Sequence, residues 1–147
     1  MTFSMRLTAV ACAATLAATL TALPAFAKDG RDFAGYYKIS NAADSGNQVE
    51  LTLTLQLYNY GDADLKQATV AVRASAPSHE VLATFTPVET WSKGGDVILT
   101  QIITVPRDEY DRWTHGQPSI TITYRDANQQ EYIRTAQVSE RSTISFQ

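Results

Sequence analysis

The chain has 147 residues, with fifteen acidic and twelve basic side chains, a net charge of −3 and no basic run. That balance argues against nucleic acid and anionic membrane surfaces as partners. The single cysteine, Cys12, excludes a disulfide scaffold, so stability must come from an apolar core.

The chain begins with a predicted targeting segment. Arg6 supplies a short positive start, Leu7 to Leu23 is an uncharged Ala/Leu/Thr run, Pro24 breaks it, and Ala25-Phe26-Ala27 is a small-residue cleavage signal. Residues 1–27 are expected to be a cleaved secretory signal peptide, which places the protein in the periplasm or outside the cell. Cleavage there removes Cys12 and Arg6, so residues 28–147 carry no thiol and a net charge of −4. The remaining 120 residues suit one domain, 28–147, and contain no further apolar segment that would hold them in a membrane.

After a charged lead, Lys28 to Arg31, Phe33 to Ser40 reads as a strand, and Asn41 to Asn47 has turn chemistry. Val49, Leu51, Leu53, Leu55 and Leu57 then alternate with polar residues over ten positions. A period of two puts all five aliphatics on one face, and a slip of one residue would expose every one of them. Asn59 to Asp64 forms the next turn, in which Asn59-x-Gly61 has a mechanical role. A third strand runs from Leu65 through Val70 and Val72, and a fourth through Val81, Ala83 and Phe85 to Pro87.

Lys93 to Asp96 turns into a fifth strand, Val97 to Val105, whose alternation Gln101 interrupts; a bulge, or partial cover on both faces, would account for it. Pro106 to Pro118 is a long connection with one helical turn predicted around Asp108 to Trp113. Ile120, Ile122 and Tyr124 mark the sixth strand and Glu131 to Val138 the seventh, with a short strand or tail at Ser142 to Phe146. Seven strands with Gly-, Asn- and Asp-rich turns and no long amphipathic helix predict an all-β, antiparallel two-sheet Ig-like sandwich, with a closed barrel as the second choice.

The stretch LTLTLQLYNYGDADLKQATVAV, an alternating strand followed by Asn-x-Gly, a polar run and an aliphatic strand, resembles the Ig-like modules of bacterial exported proteins. These are the cell-adhesion-related (CARDB-like) and fibronectin-III-like modules. Lys93-Gly94-Gly95-Asp96 before VILTQIITVP is similar as well, and the likeness spans residues 32–138. It implies an Ig-like β-sandwich that serves as a spacer, an adhesion unit or a partner of other exported proteins.

Chemistry-bearing motifs are sparse. His79 and His115 fall in separate loops, and with no Cys or Met in residues 28–147 a thiolate copper site is excluded. Asp108, Glu109 and Asp111 have the composition of a calcium loop, with Arg107 and Arg112 present to neutralise them; Asp44, Asp62 and Asp64 are a weaker version. No Gly-x-Ser-x-Gly elbow occurs. A non-catalytic protein without cofactor is therefore expected.

The aromatic residues Tyr58, Tyr60, Trp91 and Trp113 are the candidate binding residues, because Tyr and Trp suit surfaces that are apolar at one end and wet at the other. Two functions follow. One is a protein–protein interaction or structural module at the cell envelope, using an exposed aromatic face or an open sheet edge, which Arg73 and Arg134 would blunt if they lay there. The other is a carbohydrate or small-molecule module with Tyr60, Trp91 and Trp113 as stacking platforms, which requires the three to converge on one loop end.

Overall fold

The computed structural model describes residues 32–144. The leader with Cys12, the charged lead and the end of the tail lie outside the described residues. Eight strands and one helix follow in order: β1 (Phe33–Ser45), β2 (Gln48–Asn59), β3 (Leu65–Arg73), β4 (Val81–Thr84), β5 (Val88–Trp91), β6 (Asp96–Pro106), α1 (Arg107–His115), β7 (Ser119–Arg125) and β8 (Glu131–Glu140). They form one sheet in the order β4-β3-β7-β8-β1-β2-β6, with β5 also paired to β3. The sheet curls nearly into a barrel.

The alternation in β2 organises this curl. Val49, Leu51, Leu53, Leu55 and Leu57 are all buried, and their neighbours on β6 are Val105, Ile103, Gln101, Leu99 and Val97 in turn. On the other side Leu53, Leu55 and Leu57 face Ile39, Tyr37 and Gly35 of β1. Val70 and Val72 of β3, Ile120 and Ile122 of β7 and Ala136 and Val138 of β8 complete the core. Each buried aliphatic contributes roughly 1.5–3 kcal/mol before chain entropy is set against it. Gly35 is required where it stands: a Cβ there would lie 1.9 Å from the Gln56 carbonyl oxygen of the neighbouring strand.

Several elements depart from expectation. The described residues form eight strands, not seven. The extra one, β5, is four residues long and gains its identity from pairing Trp91 with Leu65 and Val88 with Ala68 on β3. The first strand runs on to Ser45 through the predicted turn. A register shift between Ser40 and Ala43, with Asn41 at φ 55°, absorbs the turn-forming residues, and the chain reverses at Gly46, φ 68°. The ladders are antiparallel with one exception: β1 pairs parallel with β8 from Ala34↔Gln137 to Tyr37↔Glu140. That one ladder joins the two halves of the sheet.

β6 holds a continuous register on β2 from Asp96 to Pro106, with no bulge at Gln101. Gln101 stays half-buried on the inner face because β6 is a terminal strand, laddered to β2 alone, which β4 approaches without pairing. Ser142–Ile144 adds no strand, although Ile144 is buried.

Candidate interaction surface

The two tryptophans close opposite ends of the fold. Trp91, at the end of β5, is buried against Phe33 with ring centroids 5.3 Å apart, and its indole N–H donates to the Gly95 carbonyl at 3.0 Å. Beside it Asn59 is buried in the turn. Its amide donates to the carbonyls of Ala63, Trp91 and Ser92 at 3.0–3.4 Å, and its side-chain oxygen accepts from the Gly61 N–H at 2.9 Å. The Asn-x-Gly turn thus ties three segments together.

Trp113 lies in α1 at the other end. Its indole donates to Glu109 Oε2 at 3.0 Å, and Glu109 also accepts from the Ser75 hydroxyl at 2.7 Å, the Ser75 N–H and the Arg112 guanidinium at 2.9 Å. Burial pushes the Glu109 carboxyl up, but the bonds from Ser75, Trp113 and Arg112 outweigh it and hold the pKa below the ordinary carboxylate value. The carboxylate anchors α1 to the segment after β3.

Trp91 and Trp113 therefore correct the sequence expectation. They are core residues of β5 and α1, not exposed binding residues, because a large apolar ring whose N–H finds an internal acceptor gains more from burial than from water. Tyr60 shares an end of the fold with Trp91, whereas Trp113 is at the far end, so the three do not converge. Tyr58 and Tyr60 stack on each other with ring centroids 5.8 Å apart and planes 14° from parallel. Tyr60 is 60% exposed, so this pair presents the aromatic surface.

Four of the six residues in the predicted acidic clusters are taken up in internal contacts. Glu109 is bonded as above, Asp108 and Glu109 begin α1 and pair with Arg112, Asp44 pairs with Arg107, and Asp64 accepts from the Lys93 N–H. Asp44 and Asp64 lie at opposite ends of the sheet. Among the described residues no group of three or more His, Cys, Asp or Glu gathers as a metal site. His79 and His115 are exposed in separate places.

The strand order puts β6 at one edge and, at the other, β4 and β5, which share β3. Arg73 sits inside β3 between Val81 and Ser119, and Arg134 inside β8, so neither guards an edge. Arg134 is instead buried on the inner face, 3.7 Å from Asp32 and with its guanidinium 4.9 Å from the Tyr132 ring centre. β6 spans eleven residues, pairs with β2 alone and carries no charge between Val97 and Val105. Half of its peptide groups point away from β2.

Ile102, 67% exposed, lies on the outer face of β6 opposite Thr52, and Ile98 lies opposite Gln56. Tyr58, opposite Asp96, continues that face. Sequence reasoning missed Ile102. The signal was present in VILTQIITV, where Ile98 and Ile102 fall out of phase with the inward set.

A groove of about 730 Å³ runs between the start of β3 and the β7–β8 hairpin, lined by Asp64, Lys66, Gln67, Tyr124, Arg125 and Glu131 among others. Arg125 and Glu131 pair at 3.6 Å along its hairpin wall. Asp126, at its rim, accepts from the N–H groups of Gln130 and Asn128 and from the Tyr132 hydroxyl, which holds its carboxyl below the usual value and shapes the hairpin turn. No helix among the described residues is long and apolar enough to cross a membrane. Compared with known proteins, the chain matches no family model and no curated relative.

Proposed function

We propose that this chain is a non-catalytic, exported interaction module. In this reading residues 1–27 are a cleaved signal, residues 28–147 form one Ig-like sandwich of the CARDB-like and fibronectin-III-like kind, and the protein works in the periplasm or outside the cell. Its partner is another exported or envelope protein. The strand pairing supports the sandwich: β1-β2-β6 and β4-β3-β7-β8 are two antiparallel groups, joined through the short parallel ladder of β1 on β8.

The observation that carries the function is the β6 edge. The outer edge of β6 pairs with no other described strand and is uncharged over the nine residues Val97 to Val105, so it offers main-chain hydrogen bonds, and exposed Ile102 and the Tyr58–Tyr60 stack flank it with apolar surface. Natural edge strands are usually short or protected by charge, and β6 is neither. The carbohydrate or small-molecule reading loses its support with the burial of Trp91 and Trp113.

The test is affinity recovery from the native envelope fraction and medium with immobilised residues 28–147. A defined protein should be retained by the wild type and lost with Ile102→Lys, while the circular dichroism of the variant is unchanged. Retention that ignores the edge substitution, or saturable glycan binding in place of a protein, would overturn the proposal.

A further inference from the structure

The edge of β6 matches itself. Read outward from Gln101, the inner-face residues are Leu99 and Ile103, then Val97 and Val105, while the outer-face residues alternate Ile98, Thr100, Ile102, Thr104. An antiparallel partner strand centred at the same point would set aliphatic against aliphatic on the inner side and Thr against Ile on the outer side. We infer that the occupant of this edge is a second copy of the chain, with β6 pairing antiparallel to β6 about a two-fold axis at Gln101. This rests on the reading of β6 as an interaction edge and makes the exported protein that the edge takes a second copy of this chain.

In that register Val97 faces Val105 of the second copy, Leu99 faces Ile103, and Gln101 faces Gln101. Val97 and Leu99, half-buried in the single chain, would be covered by the second copy. On the outer side Thr100 faces Ile102 and Ile98 faces Thr104. The flanking charges are complementary too. In this register Asp96 faces Pro106 of the second copy, next to the Arg107 that begins α1, and no like charges meet within the strand. Asp96 already accepts from Gln56 at 3.0 Å and Arg107 already pairs with Asp44, so these charges fix register more than they add affinity.

The interface is isologous, so it closes at two copies and continues the β1-β2-β6 group into one sheet of twice the width. β4, at the other edge, has only four residues and cannot match an eleven-residue strand. Pairing of β4 with β6 of the next copy would be head-to-tail and would build open chains instead.

Two outer-face positions test the register without touching the core. Lys at both 100 and 102 places ammonium against ammonium across the axis and should weaken the dimer by at least about tenfold in sedimentation equilibrium. Thr100→Lys combined with Ile102→Glu places Lys against Glu in the same geometry and should restore it. Residues 28–147 have no cysteine, so disulfide trapping is clean. A mixture of Thr100→Cys and Ile102→Cys chains should cross-link on oxidation, and each alone should not, because like positions lie too far apart to bridge.

A folded wild type that sediments as a monomer at millimolar concentration would overturn the inference. So would open-ended oligomers, or cross-linking of either cysteine variant alone as fast as the mixture. A monomer that still recovers an envelope protein through an intact edge would overturn self-pairing and leave the proposed function standing. A dimer that recovers no other protein would uphold self-pairing and confine the edge to copies of this chain.

Discussion

The two ends of the fold solve one problem in two ways. Each is plugged by a buried indole whose N–H must be satisfied. At the Asn59 end the acceptor is the neutral carbonyl of Gly95, and the surrounding bonds run between amides. At the α1 end the acceptor is the Glu109 carboxylate, which also gathers Ser75 and Arg112. A neutral plug is indifferent to acid, while a charged one ties the helix to the state of a single proton. The difference shows how one sheet can carry a pH-insensitive end next to the proposed Tyr58–Tyr60 surface and an acid-sensitive end away from it.

The largest effect should come from removing either plug. Trp91→Ala and Trp113→Ala are each expected to cost about 3–5 kcal/mol in denaturant unfolding, since both leave a cavity and a stranded acceptor. Similar losses at the two sites would establish that both indoles are structural. A loss below about 1 kcal/mol at either would place that ring outside the core.

Smaller and more discriminating is the exchange of the polar partner. Glu109→Gln should cost about 2 kcal/mol at neutral pH, because a donor amide replaces part of a carboxylate that takes four donors. The sign of the pH dependence follows from the lowered carboxyl pKa. The unfolded chain binds the proton at higher pH than the folded one. The stabilisation is therefore complete above the unfolded carboxyl range near pH 4.5 and drains away as pH falls toward the native value. Urea midpoints of wild type and Glu109→Gln should converge as the pH drops through that window. Asn59→Ala should cost about 1–3 kcal/mol with no such convergence. Parallel pH curves for wild type and Glu109→Gln would dissolve the contrast between the ends.

The smallest effect is expected at the exposed aromatic pair. Tyr60→Ala should change stability by no more than about 0.5–1 kcal/mol, the value of the stack with Tyr58, and should act mainly on partner recovery. A loss comparable to Trp91→Ala would make Tyr60 a packing residue.

Local pattern alone determined much of this protein: the β character, the boundaries of β2, β3 and β7 to within a residue or two, the inward set Val49 to Leu57, and the Asn59-x-Gly61 turn. These depend on period-two alternation and on backbone preferences that act over a few residues. The tertiary structure decided everything that rests on a neighbour. β5 exists because β3 offers it a ladder, β1 runs through a turn sequence because β2 holds it, and Glu109 becomes an anchor because Ser75 arrives beside it. Trp91 and Trp113 were misplaced as surface residues for the same reason: an indole reads alike inside and outside until its acceptor is known. The edges, and with them the functional reading, emerged only from strand order, which side-chain alternation does not encode because it is identical for a strand with one neighbour and a strand with two.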